Sequence, residues 1–285
     1  MPRIPDVTLA NPRADRVKQV RALSGRPARS RHAQFLVEGP QGVREAVRHA
    51  AGDVRNVYLT PAAAERYDEI LEDALAAGLH VHVGTPEVLE AMSPDAQGVL
   101  AVVRARQSTL DGALRAIDAR PLLVAVLANV RDPGNAGTVI RAADAAGADL
   151  VVLAGESVDL HNPKVVRSTA GSLFHLPVVT GAPLADAAAA ARAAGCTVLA
   201  ADGAGDLDLD DLLDVCGPAT PRAEGAPDLA ASTAWIFGNE AWGLPEADRA
   251  LADAVVRVPI RGRAESLNLA TAATVCLYAS GRAQR

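Results

Sequence analysis

PLLVAVLANV (residues 121–130), running into RDPGNAGTVIRAADAAG (131–147), decides the fold. The first ten residues are an almost unbroken apolar run. Such a run suits a strand covered on both faces, as in a parallel sheet; a half-exposed antiparallel strand would alternate instead. The chain then turns through DPGN and places apolar residues at helical spacing from Ala136 to Ala146. The same alternation continues outward. ADLVVLAG (148–155) reads as a strand, followed by a helix near Pro163–Ser172. LPVVTG (176–181), a helix over Pro183–Ala194 and CTVLAAD (196–202) come next. After a Pro/Ala/Gly-rich stretch at 217–232, which reads as an exposed loop, STAWIF and AVVRVPI (254–260) read as strands. The last helix spans Leu267–Arg282. Strand and helix in alternation predict an α/β domain with a parallel sheet over 121–285.

Toward the N-terminus, QSTLDGALRAIDAR (107–120) reads as a linker with a helical turn. Residues 13–106 form a smaller α/β unit. Its strands are QFLVEG (34–39), VRNVYLT (54–60), HVHVG (80–84) and GVLAVVRAR (98–106). Its helices are Ala14–Leu23, Gln41–Ala50, 61–78 and Pro86–Met92. SGRPARSR (24–31) reads as a turn and residues 1–12 as a loose tail.

Hydrophobic residues make up 49% of the 285 and charged residues 22%, enough apolar material for two cores. The net charge of −6 does not favour a polyanionic partner, but it hides an asymmetry. From Arg13 to Arg31 there are seven basic residues against the single acid Asp15. That segment is either a nucleic-acid contact or a solvated basic face. Cys196, Cys216 and Cys276 have neither metal nor disulfide spacing, so no metal is expected and a reducing cytoplasm is. No apolar h-region opens the sequence and no run of about 18 apolar residues occurs, so neither a signal peptide nor a membrane span is expected.

Three segments can carry chemistry. In the first, Gly134 and Gly137 allow close backbone approach, Asn135 sits where an N-cap would, and Arg141 follows six residues on. A strand–loop–helix of this kind is an anion or nucleotide site, or else a structural tight turn. It has neither a GxGxxG fingerprint nor a Walker lysine, which argues against a dinucleotide oxidoreductase or a kinase. In the second, WIFGNEAWGLPEADRALAD (235–253), Gly238 ends a strand and leaves room for a flat ligand. Glu240 lies at the edge where open α/β sheets bind ligands, or is a solvent-exposed turn acid. In the third, VPIRGRAESLNLATAATVCLYASGR (258–282), Arg261 and Arg263 sit in a loop, and Ser266 and Asn268 open a helix. Ser266 is a site residue or simply an N-cap.

In this order the three segments resemble the motifs of the SpoU/TrmH RNA ribose methyltransferases, within the SPOUT superfamily. Asn135 and Arg141 match the first motif, Gly238-Asn239-Glu240 with Gly243-Leu244 the second, and Ser266-Leu267-Asn268 the third. NPKVVRSTAGSLFHLPV (162–178) is similar to the stretch between motifs one and two. One departure is visible: many members carry an acid on the first-motif strand, where this chain has Ala128 or Asn129. Through RHAQFLVEGPQGVREAV (31–47), the N-terminal half resembles the family's small substrate-binding domain, similar to ribosomal protein L30e.

The resemblance implies a trefoil-knotted parallel-sheet catalytic domain behind an L30e-like α/β domain, working as a homodimer whose site is completed across the interface. The final helix Leu267–Arg282 would serve that interface, or be an ordinary core helix. The implied cofactor is S-adenosylmethionine, held by Gly238, Val258, Ile260 and Leu267. The implied reaction is methylation of a ribose 2′-hydroxyl, with Arg141, Asn135, Glu240, Ser266 and Asn268 as catalytic residues. Arginine does not lose its proton in proteins, so Arg141 is read as binding an RNA phosphate or the incipient alkoxide rather than as a base. Arg29, Arg31, Arg261 and Arg263 are the RNA-contact candidates. The N-terminal domain favours 23S rRNA as substrate, with tRNA the alternative. A non-catalytic RNA-binding module would have lost Arg141, Glu240 or Asn268, and all three are present.

Overall fold

The computed structural model describes residues 6–117, 121–217, 221–223, 225–239 and 241–285. Compactness divides the chain into two units. One comprises residues 1–106 with 159–175, the other 107–158 with 176–285.

The first unit opens with β1 (Val7–Leu9), α1 (Asp15–Ala22) and α2 (Arg26–His32). It continues with β2 (Gln34–Glu38), α3 (Pro40–Ala50), β3 (Val54–Leu59), α4 (Pro61–Arg66), α5 (Asp68–Ala76), β4 (Val81–Gly84), α6 (Pro86–Met92) and β5 (Val99–Arg104). The sheet order is β1-β4-β3-β5-β2; β1, β4 and β3 run parallel, and β5 is antiparallel to both β3 and β2. Side chains along a strand alternate between faces, and here both faces are filled. Val99, Ala101 and Val103 join Phe35 and Val37 in one core, while Leu100, Val102 and Leu36 join Tyr58 and Met92 in the other.

Three expectations change here. Residues 7–9 of the supposed tail pair with β4 as an edge strand. The supposed turn at 24–31 is mostly helix α2, whose first turn takes Pro27, where the missing N–H costs nothing. The helix expected over 61–78 breaks at Tyr67, whose φ of −122° is not helical, giving α4 and α5.

The second unit begins with α7 (Leu110–Arg115), β6 (Leu123–Ala128), α8 (Pro133–Ala146) and β7 (Leu150–Ala154). The next helix, α9 (Pro163–Ser168), belongs to the first unit. The second unit resumes with β8 (Val178–Thr180), α10 (Leu184–Ala193), β9 (Thr197–Ala201), β10 (Leu207–Asp208) and α11 (Leu209–Asp214). It closes with β11 (Thr233–Phe237), α12 (Glu246–Arg249), β12 (Ala254–Arg257) and α13 (Leu269–Ala283). The seven strands are ordered β10-β12-β9-β11-β6-β7-β8, and every neighbouring pair is parallel.

All six residues of β6 are buried, as the apolar run at 121–130 predicts. Val124, Val126 and Ala128 pack with Ala234, Ile236 and the alanines of α10 on one face. On the other face Trp235 donates its indole N–H to Ser280 of α13 at 2.9 Å, so a fully buried tryptophan leaves no orphan donor. The supposed linker is partly core: Thr109 caps α7, and Ala113 is buried against the second unit's core. Residues 118–120 of it lie outside the described residues.

The segment 159–175 is held to the first unit by side chains. Val166 of α9 joins the core of Phe35 and Val37. Arg167 pairs with the buried Glu38 and, at 3.0 Å, with Asp95; Ser93 donates to the other Glu38 oxygen at 2.5 Å. Thus part of the family-like stretch at 162–178 packs with the first unit rather than with the sheet that precedes it in sequence.

Candidate active site

In the second unit, β9, β11 and β12 lie side by side and parallel, so their carboxyl ends share one edge. Open parallel sheets bind ligands at that edge. A cavity of about 280 Å³ opens there. It is lined by Ala201 at the end of β9 with Asp202 and Gly203 after it, by Phe237 at the end of β11 with Gly238, Asn239 and Gly243 after it, and by Val256 of β12 with Val258 and Ile260 after it. Glu265, Ser266, Leu267, Leu269 and Ala272 complete it from the start of α13.

All four expected cofactor residues, Gly238, Val258, Ile260 and Leu267, therefore meet in one place, and Ser266 joins them. Gly238 is required by the close approach of backbone within the turn that follows β11. A Cβ there would lie 2.5 Å from the Gly243 carbonyl carbon and 2.7 Å from the Leu244 nitrogen. The turn between them is closed by a two-way pair, Asn239 N to Gly243 O at 3.0 Å and Gly243 N to Asn239 O at 2.9 Å. Asn239 is 5% exposed, and its Nδ2 donates to the Asn129 carbonyl at 2.7 Å, so the second motif is tied to the end of β6. Glu240 lies outside the described residues.

The first motif meets the third through Asn268, whose Nδ2 donates to Asn135 Oδ1 at 3.2 Å. The caps differ from expectation. Asp132, not Asn135, caps α8, accepting from the Asn135 N–H at 2.7 Å. Asn268, not Ser266, caps α13, accepting from Ala270 N at 2.8 Å and leaving Ser266 in the cavity wall. In both cases the capping acceptor fills a helix-end donor that would otherwise be unpaired.

Arg141 is exposed on α8 and does not line the cavity. Arg261 in the third-motif loop pairs with Asp210 of α11, while Arg263 is exposed. Arg131, near the start of α8, places its guanidinium 5.5 Å from the ring centroid of Trp242 in the second-motif turn.

In the first unit, Arg29, an expected RNA contact, is buried rather than offered to solvent. It is 6% exposed and donates to Asp159 Oδ2 at 2.7 and 3.2 Å and to the carbonyls of Leu23 and Ser24. Four of its five N–H groups are thereby used inside the fold. Arg31 is exposed. Sequence reasoning missed a cleft of about 490 Å³ in this unit, lined by Arg16, Gln19, His32, Gln34, Asn56 and Tyr58 among others. Arg16 lies 3.0 Å from the His82 ring, and burial together with Arg16 holds the His82 pKa below its usual value. Glu45, His49 and His175 bring one ligand atom each within 4.8 Å of one another; Glu45 accepts from both imidazoles, and His49 and His175 are largely exposed.

Asp202 and Glu265 of the cavity also escaped sequence reasoning. The signal for Asp202 was present, since it ends an apolar strand at the ligand edge of the sheet. A thiolate nucleophile is not on offer from Cys276 or Cys196. Burial pushes the Cys276 thiol up to about 12 and, helped by Asp149, that of Cys196 up to about 11, so both stay protonated at neutral pH.

Residues 122–278 match the SpoU rRNA Methylase family, and residues 14–101 match the MRM3-like substrate binding domain. A 23S rRNA (uridine(2479)-2′-O)-methyltransferase of Streptomyces viridochromogenes is 34% identical over 98% of this chain and 94% of its own. Among solved structures, the SpoU methyltransferase AviRb from the same organism, in complex with AdoMet, superposes with a TM-score of 0.77 at 33% identity, covering 94% of this chain and 98% of that one. An AdoMet-bound rRNA methyltransferase from Sinorhizobium meliloti gives a TM-score of 0.77 at 30% identity, over 96% and 97% of the two chains. No helix among the described residues is long and apolar enough to cross a membrane. With more than half its length matched in order, and the three motifs gathered at one sheet edge, the chain belongs to the SpoU rRNA methylase family.

Proposed function

We propose that this protein methylates the 2′-hydroxyl of a ribose in 23S rRNA, using S-adenosylmethionine, in the cytoplasm. The observation that carries the reading is the 280 Å³ cavity of second- and third-motif residues, with Asn268 of the third motif bonded to Asn135 of the first. The cavity suits the cofactor. Val258, Ile260 and Leu267 offer an apolar slot for a flat base, and the carboxylates of Asp202 and Glu265 suit a ligand bearing hydroxyls and positive charge. When bound, S-adenosylmethionine supplies a methyl group on a good leaving group.

The chain's own residues then have to position a ribose hydroxyl and ease its deprotonation. Asn135 and Asn268 form a paired amide edge that orients polar groups of the sugar. Arg141 remains charged and lowers the cost of negative charge on the attacking oxygen or grips the adjacent phosphate. Glu240 would fix that arginine. Arg141 stands on an exposed helix face and not in its own chain's cavity wall, which supports a homodimer in which one protomer's Arg141 serves its partner's cavity. The exposed apolar side chains Val275 and Tyr278 of α13 supply that interface.

The knot belongs to the same reading. Gly205 lies where two separate backbone segments pass closely: a Cβ there would lie 2.8 Å from β12 main-chain atoms. The approach of the segment after β9 to β12 at the cofactor edge suits a trefoil threading of that region. In the first unit, Arg31 and the Arg16 cleft take the RNA role expected of Arg29. Tritiated S-adenosylmethionine with purified rRNA and tRNA pools, followed by mapping of the modified ribose, tests the proposal. Label in 23S rRNA is expected; label in tRNA alone, or in neither, overturns it.

A further inference from the structure

Aromatic residues make up only 3% of this chain, and it has two tryptophans. Trp235 is fully buried in the sheet, whereas Trp242 is 54% exposed. An exposed indole is costly unless something covers it, and its setting shows what. Trp242 sits in the turn whose ends, Asn239 and Gly243, line the cofactor cavity. The two-way Asn239–Gly243 pair and the bond from Asn239 to the Asn129 carbonyl fix that turn. Arg131 sets its guanidinium 5.5 Å from the ring centroid and is itself held by Glu156 at 3.0 Å.

We propose that Trp242 and Arg131 form a stacking platform for a nucleobase of the RNA substrate, at or next to the nucleotide being methylated. The inference rests on the RNA methyltransferase reading and names the part of the site that holds the base rather than the ribose. An indole backed by a guanidinium offers a wide π-face and a positive charge together, the pairing that single-stranded RNA uses for unstacked bases. A free RNA base has two flat faces and lies next to phosphates, so ring and guanidinium each meet a suitable partner. The same turn closes the cavity, so a base stacked here keeps its nucleotide at the mouth of the methyl-donor site. Stacking is tolerant of base identity, so the platform gives affinity and placement rather than sequence choice.

Intrinsic fluorescence of the full-length protein tests this directly, because the other tryptophan is buried. The probe is oligoadenylate RNA of about 12 nucleotides, within the span of single-strand sites, against an abasic ribose-phosphate chain of the same length. Oligoadenylate should quench the emission and the abasic chain should not, and the quench should vanish in Trp242→Phe while RNA affinity largely stays. Trp242→Ala should raise the RNA Kd by on the order of tenfold, and Arg131→Ala by less, with the Kd for S-adenosylmethionine unchanged in both. Equal RNA affinity in wild type and Trp242→Ala overturns the platform, as does binding of oligoadenylate without quenching. A shift of Trp242→Ala to a smaller oligomer with RNA affinity unchanged overturns it too, by giving the ring to a second copy of the chain. Should the wild type methylate no RNA, the functional reading fails, and the oligonucleotide titration still decides the platform by itself.

Discussion

Asn268 Nδ2 donates to Asn135 Oδ1 at 3.2 Å, joining residues 133 apart in sequence. Asn268 does two jobs at once, because its Oδ1 caps α13 through Ala270 N. An aspartate can keep the cap but has no N–H to give Asn135. Asn268→Asp should therefore leave the melting temperature nearly unchanged and lower turnover. A hydrogen bond of this kind is worth about 0.5–1.5 kcal/mol, so the fall should be roughly 2- to 12-fold. Asn268→Ala should add the loss of the cap, about 1 kcal/mol of stability. Thermal melts beside methyl-transfer rates separate the two jobs; equal turnover in Asn268→Asp and wild type would show that the pair is only structural.

Arg141→Ala should abolish methyl transfer while S-adenosylmethionine binding, read by calorimetry, is retained, since Arg141 does not line the cavity. Arg141→Lys should also be severely impaired, because an ammonium keeps the charge and loses the planar fork. An active Arg141→Ala enzyme would remove the arginine from the chemistry.

Gly238→Ala places a methyl group 2.5 Å from the Gly243 carbonyl carbon, an atom with no rotamer to move. One of the two strands of backbone must shift. We expect a loss of about 1–3 kcal/mol of stability and a marked loss of cofactor affinity, since both glycines line the cavity. Wild-type cofactor binding in a stable Gly238→Ala protein would be the contrary result.

The parallel sheet was legible because β6, β7, β9 and β11 are buried on both faces and their sequences are continuous apolar runs. That Gly238, Val258, Ile260 and Leu267 belong together was legible through motif order alone. Periodicity could not show that Gly238 faces Gly243, which depends on the tight turn between them, or that Asn268 reaches Asn135, which depends on how distant segments meet. The burial of Arg29 was not legible for a related reason. In sequence it is one of seven cations; only the fold supplies Asp159, 130 residues on, to bury it. The helix α2 was missed because Gly25, Pro27 and three arginines read as turn chemistry, although Pro is at home in a first turn.

Removing Arg29 should therefore act on folding rather than on RNA. Burial alone would raise the Asp159 carboxyl, but the hydrogen bonds from Arg29 and from the His161 N–H outweigh it and hold it below the usual carboxylate range. A carboxyl depressed in the folded state stabilises above its unfolded value, near 4, and that contribution is lost as pH falls through the folded value. Arg29→Leu should cost about 3 kcal/mol at neutral pH, and the gap to wild type should shrink in denaturation below about pH 4. Arg31→Glu, on an exposed position, should leave stability alone and weaken RNA binding. The reverse assignment of effects would contradict the burial of Arg29.

Val275 and Tyr278 are 39% and 47% exposed on α13, and Thr271 and Arg282 extend the same face at helical spacing. On α8, Arg141 shares an exposed face with Thr138 and Ala145. If a second copy covers these faces, Tyr278→Asp with Val275→Asp should give a monomer by light scattering and abolish turnover. Mixing supplies the sharper test. Arg141→Ala has an intact cavity and no arginine; Gly238→Ala has the arginine and a damaged cavity. In a two-fold dimer with the arginine supplied in trans, a mixed pair rebuilds one complete site of two. Random exchange would make half the dimers mixed, so about a quarter of wild-type activity should return. An arginine acting within its own chain gives no recovery at any mixing ratio, because neither protomer then holds both halves of a site.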